Sequence, residues 1–199
     1  MKRVLVVIGL LAGVYFLYPE KAVTYGPGIV APEEPVQVRL GQEQGFPMDG
    51  YEVTPLAEFD VTARILSTRK YSYGRESDLS PVDLALGWGP MSDEAVLRHF
   101  SISQGGRWMR WKARTLPIPR SDVIQKAANM HIIPADKGVE DAIRDLFKGQ
   151  VVHLTGHLVR VRAADGWTWT SSLTRKDTGN KACEVFYVTS VEILRGAEA

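Results

Sequence analysis

Four histidines, one cysteine and two tryptophan-bearing segments carry most of the chemistry open to this chain. His153 and His157 fall on one face of an expected strand. Four residues at about 3.4 Å each set them roughly 13 Å apart. That is too far for one metal ion unless the strand folds, so they read as hydrogen-bonded strand-face residues and no metal site is expected. Cys183 is the only cysteine. An internal disulfide and a cysteine-based zinc site are therefore excluded within one chain. Between Ala182 and Glu184, on an interior strand, it is expected as a buried, inert thiol.

Ser171 or Ser172 with His131 and Asp177 could form a hydrolytic set. The chain has no Gly-x-Ser-x-Gly elbow, no His-Glu-x-x-His, no P-loop and no Gly-x-Gly-x-x-Gly fingerprint. No catalytic residue and no cofactor are expected. A small exported hydrolase using a Ser/His pair is the alternative.

Arg107, Trp108, Arg110, Trp111, Lys112 and Arg114 interleave cations with aromatics. Bases stack on rings and phosphates meet cations on such surfaces, which makes a single-stranded nucleic-acid site the second alternative. The alternation argues against it. Trp111 turns inward with Met109 and leaves Trp108 alone on the basic face. A solvated basic face near anionic lipid or an acidic partner fits better. Setting aside Lys2 and Arg3, the 24 basic residues become 22, against 23 acidic ones. That balance gives non-specific nucleic-acid binding no support.

The expected ligand-binding residues are Trp167, Trp169, Ser172, Arg175, Asp177 and Glu184, gathered round one hairpin. Trp167 and Trp169 share a strand face. Arg175 can present a planar fork to a carboxylate or phosphate, and Asp177 can hold that fork. The competing account makes the tryptophans core, pairs Arg175 with Asp177 or Glu184, and uses Asp177-Thr178-Gly179-Asn180 as a turn.

These groups need a frame. Phe59, Val61, Ala63 and Ile65 alternate with polar residues, the period of a half-buried strand. Val82 to Leu86 is a second apolar run. Ser92 is expected to cap a short helix over 93–99. Arg107 to Arg114 alternates again. Asp122 and Gln125 have capping-box spacing ahead of another short helix. Val139, Ala142, Ile143, Leu146 and Phe147 form a helical stripe that Gly149 terminates. From Val151 to Arg162 the apolar phase changes, which predicts a bulge near Leu158 with Gly156 relieving crowding. Ala182 to Leu194 reads as an interior strand.

The helix ends at Gly149, and Gly-Gln-Val-Val-His-Leu-Thr-Gly-His-Leu-Val follows at once. This order resembles an OB-fold, in which a helix links the third and fourth strands of a small closed barrel. The resemblance covers Phe59 to Leu194, with Thr115 to Lys137 as an insertion. The segment Gly166-Trp-Thr-Trp-Thr-Ser-Ser-Leu-Thr-Arg-Lys-Asp-Thr-Gly resembles one in uncharacterised exported bacterial proteins and implies no activity. The expected fold is mainly β with short helices (α+β), an OB-like β-barrel over 56–199. A mixed α+β sandwich is the structural alternative.

At the N-terminus, Lys2 and Arg3 precede an uncharged run from Val4 to Tyr18. Fifteen residues make roughly 22 Å of helix, short for a bilayer core of about 30 Å, though Tyr15 and Tyr18 suit an interface. No small-x-small cleavage site follows. Residues 1–18 are therefore expected to form an uncleaved transmembrane anchor, with a cleaved signal as the alternative. The basic start predicts a cytoplasmic N-terminus. The domain would then lie in the periplasm, single-pass on the bacterial inner membrane, with a protein partner in the envelope. Gly9 and Gly13 would allow a homodimer. Residues 19–55, rich in Pro and Gly, are expected as a tether in which Val36 to Leu40 could pair as an edge strand.

Overall fold

The structure, a computed structural model, describes residues 22–41, 43–174 and 183–196. It is mainly β. The sheet is organised by one long strand, β3, running Tyr51–Lys70, which follows two short strands, β1 at Val36–Arg39 and β2 at Phe46–Met48. The alternation expected in β3 is present: Phe59, Val61, Ala63 and Ile65 are buried, while Glu58 and Asp60 are exposed. β3 pairs antiparallel with β4, Val82–Gly87, through its C-terminal part. The hairpin β5, Phe100–Gly105, and β6, Trp108–Ala113, forms a separate two-stranded sheet. β7, Ala127–Pro134, pairs antiparallel with β4. β8, Val151–Ala163, pairs antiparallel with β3 from Tyr51 to Arg64 and carries the short β9, Thr168–Thr170. β10, Glu184–Arg195, runs parallel to β7 and antiparallel to β8.

One sheet face carries the main apolar core, with Phe59, Leu84, Met130, Leu154 and Phe186 among its members. A second cluster covers the other face with Val53, Ile133, Val159, Val161 and Val185. A third, built on Leu66, Ala85 and Met91, lies under the β5–β6 hairpin.

Among the described residues, three short α-helices connect the strands: α1, Glu94–Leu97; α2, Arg120–Gln125; α3, Lys137–Asp145. The cap of α1 is Asp93, whose carboxylate accepts from the Ala95 amide at 2.7 Å, not Ser92. Ser92 instead bonds the Ala31 and Gly89 backbones. α2 begins after Pro119 with no side-chain cap, so Asp122 lies within the helix. α3 starts at Asp136, which accepts from the Val139 amide at 2.9 Å. Ile143 and Leu146, on the expected stripe, join the main core.

Two expectations about the strands change. Thr115–Lys137, expected as an insertion, contains the fully buried β7. The phase change in β8 is not a bulge in that strand. Val152, Leu154 and Leu158 face the main core, whereas Val159 and Val161 face the second cluster. The irregularities lie in its partners, between Pro55 and Ala57 of β3 and between Val188 and Ser190 of β10. Gly156 does mark a close approach: a Cβ there would stand 2.0 Å from the Tyr187 carbonyl oxygen.

The expected tether, largely exposed, meets the domain at several points among the described residues. β1 pairs with β3 as the edge strand expected at Val36 to Leu40, and β2 pairs with β3 as well. Ala31 is buried, and its carbonyl accepts from Gly89 at 2.7 Å. Val23 donates to the Lys148 carbonyl at 2.9 Å. Proline and glycine remove periodicity, but an extended chain still offers backbone groups that the domain can satisfy. No helix among the described residues is long and apolar enough to cross a membrane. The apolar run from Val4 to Tyr18 lies outside them.

Candidate binding groove

The site begins with a turn. β5 and β6 are joined by Gly106 and Arg107, with φ of +59° and +67°. Two positive φ values are what a two-residue hairpin loop matching strand twist demands. Glycine adopts them freely; arginine does not. Arg107 is held there by what its groups reach. Its amide donates to the Tyr71 hydroxyl at 3.0 Å, and its guanidinium lies 3.9 Å from the Tyr71 ring centroid. That guanidinium donates to Asp83 Oδ1 at 2.6 Å, the Ser80 carbonyl at 2.9 Å and Ser77 Oγ at 3.0 Å. Its carbonyl accepts from Asn129 Nδ2, and Asn129 Oδ1 accepts from Gln104 Nε2 at 2.7 Å. The hairpin is thereby clasped onto β4 and β7.

Asp83 and His131 are register partners across β4 and β7. Both are buried, and His131 Nδ1 lies 3.0 Å from Asp83 Oδ1. The ring packs against Trp169 at 4.9 Å between centroids. Such a carboxylate fixes the orientation of an imidazole. No serine hydroxyl hydrogen-bonds a histidine among the described residues. Ser171 Oγ donates to the Ser172 carbonyl and accepts from the Val185 amide; Ser172 Oγ bonds the Thr174 backbone. His153 pairs with Asp60 at 3.0 Å. No group of three or more His, Cys, Asp or Glu could hold a metal among the described residues.

Docking the hairpin leaves a groove of about 680 Å³ between β6, α2 and the starts of β7 and β10. Trp108, Arg110, Trp111 and Lys112 of β6 line it. Arg120 lies 5.6 Å from the Trp111 ring centroid. Thr174, Cys183, Glu184 and Asn129 also line the groove. As expected, Trp111 and Met109 pack on the cluster beneath the hairpin, while Arg110 and Lys112 are exposed. Trp108, half-buried, still lines the groove.

The expected hairpin set divides. Glu184 is buried and lines the groove. Ser172 is buried behind it. Trp167 and Trp169 share a face, with ring centroids 6.2 Å apart, but they pack on the second apolar cluster. Trp167 also meets Tyr51 edge-on and Arg75. Arg175 and Asp177 lie outside the described residues. Cys183, expected buried, is partly exposed in the groove wall. It falls just before β10, where the chain has not yet entered the sheet. The roles of Asp83, Arg107 and Asn129 were not anticipated. Their signal was available: a carboxylate and an amide stand inside otherwise apolar strand segments, and a buried polar group requires a partner.

Comparison with protein-family models, curated proteins and solved structures found no match to this chain.

Proposed function

We propose that this chain is a non-enzymatic binding or assembly module, an OB-like barrel held at a membrane by residues 4–18. The groove beside β6 bears its ligand. The carrying observation is that Trp108 and Trp111 stand in one groove with Arg110, Lys112 and Arg120. Flat aromatic faces and fixed cations suit an extended, negatively charged ligand. The near-neutral chain favours an acidic segment of a protein partner over a phosphate polymer. Ser171 Oγ is engaged by the Ser172 carbonyl and the Val185 amide, which favours a structural role for it over that of a nucleophile.

The barrel reading draws support from the pairing order. It runs from β3 through β4, β7, β10 and β8 and back to β3. The β7–β10 pair is parallel, and α3 falls between β7 and β8. That order supports the reading as a five-stranded OB barrel, with the β5–β6 hairpin added between its second and third strands.

Tryptophan fluorescence of the full chain tests the groove. Titration with poly-glutamate should perturb the emission. Arg110→Glu with Lys112→Glu should abolish that response and leave the unfolding midpoint unchanged. An unchanged response would remove the groove from consideration. Tighter binding of a single-stranded oligonucleotide would favour the nucleic-acid alternative, and turnover of a simple ester would favour the hydrolase.

A further inference from the structure

The N-terminal segment enters the domain at a fixed place. Ala22 forms a parallel bridge with Lys148, and Val23 donates to the Lys148 carbonyl. A Cβ on Gly149 would stand 1.9 Å from the Val23 carbonyl oxygen, and one on Gly196 would stand 3.0 Å from Val23 Cγ2. Only Pro19, Glu20 and Lys21 separate Ala22 from Tyr18, where the apolar run ends. Four steps of at most about 3.6 Å reach roughly 14 Å. If residues 4–18 anchor the chain in a bilayer, as proposed above, this corner of the domain stands at the headgroups.

The surface there has the composition for that position. Ile193 and Leu194, near the end of β10, are 39% and 45% exposed. Arg195 and Lys148 are exposed beside them. The group is held together because Gln150 donates to the Gly196 carbonyl at 3.1 Å and Arg195 is the register partner of Val151. Lys148 also opens onto a groove lined by Arg69, Lys70 and Arg144, whose sole acidic lining residue among those described is Asp145. Exposed apolar side chains with cations nearby are what an anionic bilayer surface attracts; the exposed acid at this edge of β10 is Glu192. Attraction screened within about 8 Å of solution becomes effective when so short a link holds the charges close.

We infer that the surface from Lys148 to Arg195 lies against anionic phospholipid headgroups, so that the membrane fixes the orientation of the domain as well as its location. This rests on the anchor reading and adds a lipid-facing side to it.

The full chain, carrying Cys183→Ser, tests this with a solvent-sensitive dye at Leu194→Cys. The control dye is at Tyr73→Cys. Tyr73 is 95% exposed and two residues from Arg75, which pairs with Asp165 beyond the other end of β8. That strand, 13 residues long, spans roughly 40 Å. The protein is reconstituted into vesicles of phosphatidylcholine, alone or mixed with phosphatidylglycerol, each containing a headgroup-quencher lipid. Quenching at position 194 should exceed that at 73 several-fold in the anionic vesicles and fall in neutral ones. Lys148→Glu with Arg195→Glu should bring it down to the control. Equal quenching at 194 and 73 in chain that resists alkaline extraction would overturn the orientation alone. Equal quenching at 194 in neutral and anionic vesicles would overturn the recognition of charge. Release of the chain by alkaline extraction would overturn the anchor, and the orientation with it.

Discussion

Arg107 reaches Asp83 Oδ1 at 2.6 Å from a left-handed backbone conformation at the tip of a hairpin. Asp83 belongs to the main sheet and Arg107 to the turn of the two-stranded one, and their contact joins the two sheets. The carboxylate is fully buried and also holds His131. A buried charge persists only when it is paired, so the hairpin brings the cation that β4 requires. The same contact sets where Trp108 and Trp111 stand.

Arg107→Ala should destabilise the protein by about 3–5 kcal/mol, because it leaves Asp83 buried without its cation. Urea denaturation measures this. In combination with Asp83→Asn the loss should be smaller than the sum of the two single losses, since they share one interaction. Strict additivity would show the clasp to be energetically inert.

Leu146→Ala should cost about 2–5 kcal/mol. The side chain is buried in the main core at the end of α3. A loss below about 0.5 kcal/mol, the range of ordinary surface changes, would mean that α3 is peripheral.

Gly149→Ala should loosen the N-terminal segment. The residue has φ +93°, and an added Cβ would meet the Val23 carbonyl. Hydrogen exchange at the Val23 amide reports it: a local loss of about 1.4 kcal/mol would speed exchange about tenfold. Unchanged protection would show that the segment docks independently of Gly149.

Acid should weaken the same attachment. Burial pushes the Glu94 carboxyl up, but the Arg64 hydrogen bond and charge outweigh it, helped by the Tyr25 amide, and hold it below the ordinary value of 4.5. A carboxyl depressed in the folded state stabilises it fully above 4.5 and loses that contribution as pH falls through the lower folded value. Glu94→Gln should therefore flatten the decline in melting temperature below pH 4.5. An identical acid profile in the variant would assign the decline to other carboxyls.

Much of the frame was legible in local pattern. The alternation at Phe59–Ile65 and Arg107–Arg114 and the stripe from Val139 to Phe147 each point to an element that is present, although Ala142 of the stripe is exposed. The site was less legible because its members are brought together by register and docking. Asp83 meets His131 only once β4 and β7 align, and Arg107 meets Asp83 only once the hairpin folds back. β8 misled for a related reason. Its side-chain period is unbroken, but covering layers change along its length, so apolar residues move from one face to the other. Trp167 and Trp169 were seen to share a face; what covers that face depends on Tyr51, Arg75 and His131, contributed by distant segments.

The docked segment at 22–31 also has a consequence for the timing of assembly. Its partners are Ser92, Asp93, Glu94, Lys148 and Gly196. A ribosome makes the segment first and its partners afterwards, the last of them near the end of the chain. Contacts this distant in sequence form slowly, because long loops must close before they are rewarded. The earliest described residues to be synthesised are thus among the last to find their place, and their attachment registers that β10 has been completed.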